Sequence, residues 1–180
     1  HTAAELYIQD GKPLPPAFEF LKPTLDALNA KPGRKLCEYK MGVRADLTPC
    51  DFMDKDVWCR GIADLLIIND DNLTARVVDY KTGKSAKYAD TGQLELMALA
   101  VFKHFPQVKR VKAGLLFVIA KQFPKASYDK SDEPKLWEKW LRDHGRMKRA
   151  YETDVWNPRT SGLCKRHCVV LSCQHNGRND

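Results

Sequence analysis

Hydrophobic positions along the chain change period several times, and each change marks an element. TAAELYIQD, residues 2–10, repeats at helical spacing and stops at Gly11. PPAFEFLKPTLDALNA predicts a second helix that opens near Pro15 and Pro16 and is broken or kinked at Pro23. Pro32-Gly33 reads as a turn. KLCEYKMGVRA alternates as a strand, PCDFMDKD reads as a loop, and VWCRGIADLLIIN is a strand interrupted by Gly61. A glycine there marks a bulge or the close approach of a ligand. LTARVVDYKT is the next strand.

DTGQLELMALAVFKHF predicts a helix capped by Asp90 or Thr91, with Leu94, Met97, Ala98, Val101 and Phe102 as its apolar stripe, ending before Pro106. RVKAGLLFVIAK is a fourth, buried strand. SDEPKLWEKWLRDHGRMKRAYE is an amphipathic helix starting at Ser131, with Trp137, Trp140 and Leu141 on its inner face. The remainder is irregular. The order α, α, β, β, β, α, β, α predicts an α/β fold. Its mixed central sheet has a three-stranded antiparallel meander, then a crossover helix and a fourth strand, all flanked by helices.

Composition narrows this frame. The chain has 180 residues, 43% hydrophobic and 29% charged, which fits one globular domain with a small appendage. We divide it into a domain over residues 1–156 and a Cys/His-rich basic tail over 157–180. The net charge of +7 favours a polyanionic partner, nucleic acid first, while a solvated basic surface fits it equally well. No apolar run approaches the ~20 residues that span a membrane, and no signal-peptide pattern opens the chain. His1 either lies inside a longer chain or follows a removed tag. The six cysteines, without an export signal, point to a reducing compartment, the cytoplasm.

The stretch from Arg60 to Lys84 holds the chemistry. If Asp71-Asn72 is a two-residue turn, residues whose numbers sum to 143 face one another, and Asp64 meets Asp79. Opposed Cβ atoms on an antiparallel pair lie ~5 Å apart, so two carboxylates there repel unless a cation lies between them. A divalent ion such as Mg²⁺ suits that place. Alternation puts Lys81 on the same face as Asp79 and turns Tyr80 away. Two acids and a lysine on one surface suit phosphate esters: a metal polarises the phosphoryl oxygen, and the lysine steadies the attacking water and developing charge. A salt-bridged hairpin with no catalytic role is the plainer alternative.

These residues resemble the RecB-like branch of the PD-(D/E)XK nuclease superfamily. GIAD, ending at Asp64, is similar to its G-x-x-D motif; VVDYKTG, holding Asp79 and Lys81, to its D-x-K motif; QLELMALA, from Gln93, to its Q-x-x-x-Y motif, with Met97 where the family has Tyr. The resemblance runs over about residues 1–121. It implies a restriction-endonuclease-like fold and Mg²⁺- or Mn²⁺-dependent DNA cleavage. It implies catalytic roles for Asp64, Asp79, Lys81, Gln93 and Glu38, and a metal site of His1, Asp64 and Asp79. His1 and Glu5 of HTAAE match the family's early His and Glu on one helical face. Arg60, Gln93 and Lys84 beside the motifs, with Lys165 and Arg166 in the tail, are the candidate DNA contacts. By analogy, the implied role is a phage or bacterial recombination or DNA-end-processing exonuclease. Recombination or single-strand-binding proteins are its candidate partners, in the cytoplasm of a bacterium or phage-infected cell.

In the tail, Cys164, Cys168, Cys173 and His175 offer four ligands within twelve residues, a set that suits a tetrahedral structural zinc. The resemblance adds an iron–sulfur cluster held by the three tail cysteines and a distant one, for which Cys37 is the candidate. Three reduced cysteines without metal is the remaining reading. Two other functions compete with the nuclease: a non-catalytic nucleic-acid-binding module with the tail as a metal knuckle, and a phosphohydrolase acting on small esters. Apolar runs flank Asp64 and Asp79, which argues against the first, because unpaired carboxylates are costly to bury. The second lacks any Gly-rich phosphate loop.

Overall fold

The structure is a computed structural model that describes residues 1–87 and 89–178. It divides into two compact units, residues 1–138 and residues 139–180.

The first unit is built on one mixed sheet. Helix α1 (Thr2–Asp10) ends where Gly11 takes a left-handed φ of 65° and caps it. A 3₁₀ turn, Pro16–Leu21, leads into α2 (Lys22–Asn29), so the break falls before Pro23, which occupies α2's first turn. Strands β1 (Arg34–Arg44), β3 (Val57–Ile68) and β4 (Thr74–Lys81) form the predicted antiparallel meander. Helix α3 (Gly92–His104) crosses over to β5 (Arg110–Phe117), which pairs parallel to β4. Two strands went unread in the sequence. β2 (Pro49–Cys50) lies in the segment taken as a loop, and β6 (Lys125–Asp129) closes the far edge, giving the order β2-β1-β3-β4-β5-β6.

The β3–β4 register is the predicted one, with Leu65 opposite Val78 and Ile68 opposite Ala75. The turn is not the two-residue one. Asn69 N–H bonds to the Thr74 carbonyl, Asn72 N–H bonds to the Asn69 carbonyl, and Asn72 has φ 55°. The Asp71 carboxylate accepts from the Leu73 and Thr74 N–H groups. The loop therefore holds four residues, 70–73. It has the same centre as a two-residue turn at 71–72, so the register is conserved.

Helices α1 and α2 cover one face of the sheet. Ala4, Ile8, Leu25 and Leu28 pack there with Leu65, Ile67, Val78, Tyr80 and Leu116, and Cys37 joins them. Helix α3 covers the other face with Leu94, Ala98, Leu99, Val101 and Phe102 buried. Gly61 pairs normally with Met41, so it marks no bulge; a Cβ there would lie 3.2 Å from Met97 Cε. The close approach that Gly61 permits is by the α3 side chain, not by a ligand.

Strand alternation breaks at one step. Cys37 and Leu65 face α1 and α2, whereas Tyr39, two residues on, meets the rings of His104 and Phe105 at the α3 end. Gly61, four residues before Leu65, faces Met97 of α3. Both strands thus exchange faces between these residues, at Glu38 and Asp64. Glu38 takes a left-handed φ of 49°. The pairs on either side, Cys37 with Leu65 and Tyr39 with Ala63, keep the register.

Helix α4 (Glu133–Thr153) follows a 3₁₀ turn over Lys130–Asp132, two residues past the predicted start. Trp137 is buried against Trp58 with ring centroids 6.0 Å apart, but Leu141 is exposed, so the inner face is shorter than predicted. In the second unit, a short helix α5 (Gly162–Arg166) is capped by Ser161. Among the described residues no helix is long and apolar enough to cross a membrane.

Candidate metal centre and lysine site

The face exchange sets Asp64 apart from its neighbours. Continued at the same register, the β3–β4 ladder would pair Ala63 with Tyr80, but pairing stops at Leu65 and Val78. The Tyr80 N–H donates instead to Asp64 Oδ2 at 2.6 Å. The carboxylate takes the place of a main-chain acceptor in the ladder and is 7% exposed. Burial pushes its pKa up; the Tyr80 N–H pulls it down, and the Asp79 charge adds to the rise.

His1 completes the arrangement. Its Nε2 lies 3.1 Å from the Tyr80 carbonyl oxygen. A carbonyl only accepts, so Nε2 carries a proton. In the neutral ring Nδ1 is then a lone pair, and it stands 3.2 Å from Asp64 Oδ1. Two lone-pair atoms at that distance call for a cation between them, either a proton or a metal ion. An imidazole whose second nitrogen is fixed on a backbone carbonyl is the usual supported metal ligand.

Glu38 is the third member. Ligand atoms of His1, Glu38 and Asp64 all lie within 4.8 Å of one another. Burial raises the Glu38 pKa, and the charges of Asp64 and Glu5 raise it further. Two oxygen donors and one imidazole form a hard set that suits Mg²⁺ or Mn²⁺, the nitrogen favouring Mn²⁺. The residues present therefore fit a divalent ion.

Asp79 and Lys81 form a second cluster beside it. Asp79 stands outside the group of three. Its Oδ2 is buried and makes no well-aligned hydrogen bond, although Lys81 Nζ is 2.6 Å away. Lys81 Nζ donates to Gln93 Oε1 at 3.2 Å, from the first turn of α3. The Gln93 side chain thus steers the lysine. Asp90 Oδ1 accepts the Gly92 N–H at 2.8 Å and fixes the start of that helix, while Thr91 is the N-cap without a side-chain bond.

The other candidates are more dispersed. The Arg60 guanidinium lies over the Phe52 ring at 5.5 Å, and Lys84 is exposed just after β4. Lys165 and Arg166 lie on α5 and are exposed. The tail ligands are not drawn together: among the described residues, Cys164, Cys168, Cys173 and His175 form no group of three close enough to share an ion. Cys164 Sγ accepts the Ser161 N–H within the α5 cap, and His175 Nε2 is 3.3 Å from Gln174 Nε2. Asn176, which drew no notice in the sequence, organises the tail by donating to the Cys168 and Val170 carbonyls. Cys37 packs in the sheet core, where burial lifts its thiol to about 11. None of the six cysteines is in a disulfide. Sequence reasoning also missed the main-chain groups of Tyr80, which hold both His1 and Asp64. No side-chain motif signals them.

The family model of the PD-(D/E)XK nuclease superfamily matches residues 12–173. A search of curated proteins returns no match. Among solved structures, the one titled "Crystal structure of SSO0001" is similar at 14% identity and a TM-score of 0.42, over 89% of this chain and 70% of that one.

Proposed function

Since the chain belongs to the PD-(D/E)XK nuclease superfamily, we propose that it is a divalent-metal-dependent DNA nuclease of the RecB-like branch. It hydrolyses phosphodiester bonds from DNA ends. The observation that carries this reading is the facing of His1 Nδ1 and Asp64 Oδ1 across 3.2 Å, with Glu38 beside them. A buried carboxylate at ordinary pH needs compensation, and no lysine or arginine is paired with Asp64 among the described residues.

His1, Glu38 and Asp64 would hold the ion, while Asp79, outside that group, is ion-paired with Lys81. Bound there, Mg²⁺ or Mn²⁺ supplies a Lewis acid for the phosphate and lowers the pKa of its water. The chain's own part is orientation and charge. Tyr80 fixes the imidazole through its carbonyl and Asp64 through its N–H. Asp79 and Gln93 hold the Lys81 ammonium from two sides, leaving its third proton for a phosphate oxygen that gains charge. Arg60, Lys84 and Gln93 in the first unit, with Lys165 and Arg166 in the basic tail, are the DNA contacts in this reading. Residues 1–156 would be the nuclease domain and 157–180 its tail. DNA-end processing or recombination in a bacterial or phage-infected cytoplasm, beside recombination or single-strand-binding proteins, is the setting.

The test is incubation of end-labelled linear and closed-circular DNA, each single- and double-stranded, with Mg²⁺, Mn²⁺ or EDTA. Metal-dependent release of short products from linear DNA alone is expected. Cleavage unchanged in Asp79→Ala, or equal in EDTA, would overturn the reading.

A further inference from the structure

The face of the sheet beyond α2 carries a second feature, away from the acids. A cavity of about 560 Å³ opens there over β4, β5 and β6. Its character follows from register. Arg76 stands beside Lys112, and Lys112 beside Ser127; one step on, Val78 stands beside Gly114, and Gly114 beside Lys125. Val78 packs with α1 and α2, so these rows share that face. Lys31, just past α2, lines the same cavity.

Four cations therefore line one concavity, and no carboxylate lines it. Arg76 and Lys112 lie on neighbouring strands ~5 Å apart, an arrangement that costs stability unless a negative charge is near. The nearest acid along the rows, Asp129, is already bonded to Arg110 at 2.7 Å. Arg76 bonds to the Asn69 side-chain oxygen, which is neutral. Among the described residues no carboxylate pairs with Lys31, Lys112 or Lys125. Lys125 instead lies 4.8 Å from the Phe123 ring centroid. Gly114 is what leaves the cavity open to that ring, because a Cβ there would collide with Phe123.

We propose that this groove binds the phosphodiester backbone of nucleic acid, through Lys31, Arg76, Lys112 and Lys125, with the Ser127 hydroxyl as a further donor. It rests on the nuclease reading only in that the bound strand is the one being cut. Asp79 follows Arg76 by three residues, about 10 Å along β4, but faces α3, so the groove lies behind the acids rather than among them. It holds a part of the strand remote from the bond that breaks. Long substrates reach it and very short ones do not.

The experiment measures binding of a labelled 30-mer oligodeoxynucleotide against KCl concentration in EDTA, for the full chain and for K112Q/K125Q. Each phosphate contact contributes roughly 0.7–0.9 to the slope of log affinity against log salt. The double variant is expected to lose about 1.5 of that slope and to bind at least tenfold more weakly at low salt. K112R/K125R should keep both, and K12Q/K55Q, with equal charge loss outside the groove, should change neither by that much. With metal added, K112Q/K125Q should cut a tetranucleotide at the wild-type rate and the 30-mer more slowly. An unchanged slope in K112Q/K125Q, or an equal loss in K12Q/K55Q, overturns the groove. Wild-type protein that binds with the expected slope but cuts nothing under any metal overturns the nuclease reading and leaves the groove standing.

Discussion

Glu38 and Asp64 fall opposite each other by register, between the Cys37–Leu65 and Tyr39–Ala63 pairs of β1 and β3, and the sheet exchanges its two faces at that step. Regular alternation would commit each side chain to one layer of the protein. The exchange leaves Asp64 between layers, with His1 reaching it from α1 and Tyr80 from β4. Its pKa also responds to Asp79, which shares the α3 side with Lys81 and Gln93. A carboxylate in the sheet itself can serve both groups.

Removing the Asp64 charge should stabilise the protein without metal. Its pKa is raised in the folded state by burial, so the fold keeps a proton that the unfolded chain has released. That contribution is complete below the ordinary value of 3.8 and is lost as pH rises through the folded value. D64N keeps an acceptor for the Tyr80 N–H and carries no charge. In EDTA its Tm should exceed the wild-type value at neutral pH, and the gap should close as pH falls to about 4. Adding Mn²⁺ should raise the wild-type Tm and leave that of D64N unmoved. Thermal melts across pH check both. A lower Tm for D64N at neutral pH in EDTA would refute the argument.

Lys81 and Gln93 should separate by size of effect. Lys81 contacts the reacting phosphate in the proposed mechanism, so K81A should lower kcat by about 10²–10³. Gln93 acts through the lysine, and losing such a supporting bond costs roughly 10-fold. Q93L removes one of five proposed DNA contacts, so its affinity for DNA in EDTA should fall only slightly while kcat falls. Single-turnover cleavage and equilibrium binding distinguish the two.

Much of the fold is legible in the sequence. The hairpin register followed from symmetry about residues 71 and 72, and a longer loop on the same centre left it intact. Helices α1 to α4 are legible in their periods and in Gly11 and Pro23, whereas the short α5 lies in the tail read as irregular. Glu38 was legible only by resemblance, because its place depends on a left-handed residue that no period-2 pattern announces. Strict alternation paired Asp79 with Asp64 as joint ligands; the face exchange instead groups Asp64 with Glu38 and His1, with Asp79 beside them. β2 and β6 are short edge strands whose pairing is set by their partners β1 and β5, which local sequence does not encode. In the tail, cysteine spacing suggested a metal, while a buried asparagine does the bonding.

Gly33 should tolerate no side chain. It has φ 113°, and a Cβ there would strike the Ile68 carbonyl at the start of the β1–β3 ladder. G33A combines backbone strain with a clash against main chain that cannot rotate away. A loss of about 2–3 kcal/mol is expected. G145A, in the exposed part of α4 with open space around it, should be neutral or mildly stabilising. Urea unfolding of the two variants makes the comparison, and equal midpoints would contradict it.

Glu38 allows the cost of the site to be measured directly. A glutamate at φ 49° is strained by about 1–3 kcal/mol, and strain of that kind persists where surrounding structure enforces it. Glycine has no such penalty at that angle. Alanine keeps the penalty and loses the carboxylate. In EDTA, E38G should therefore be more stable than E38A by about 1 kcal/mol, even though glycine in an ordinary strand is the worse choice. The sign is the test, since at any unstrained strand position it would be reversed. Both variants should lose the metal-induced rise in Tm, because both lack the third ligand. If E38A matched or exceeded E38G, the left-handed backbone at the face exchange would be wrong. The placement of Asp64 between His1 and Tyr80 would then need another explanation.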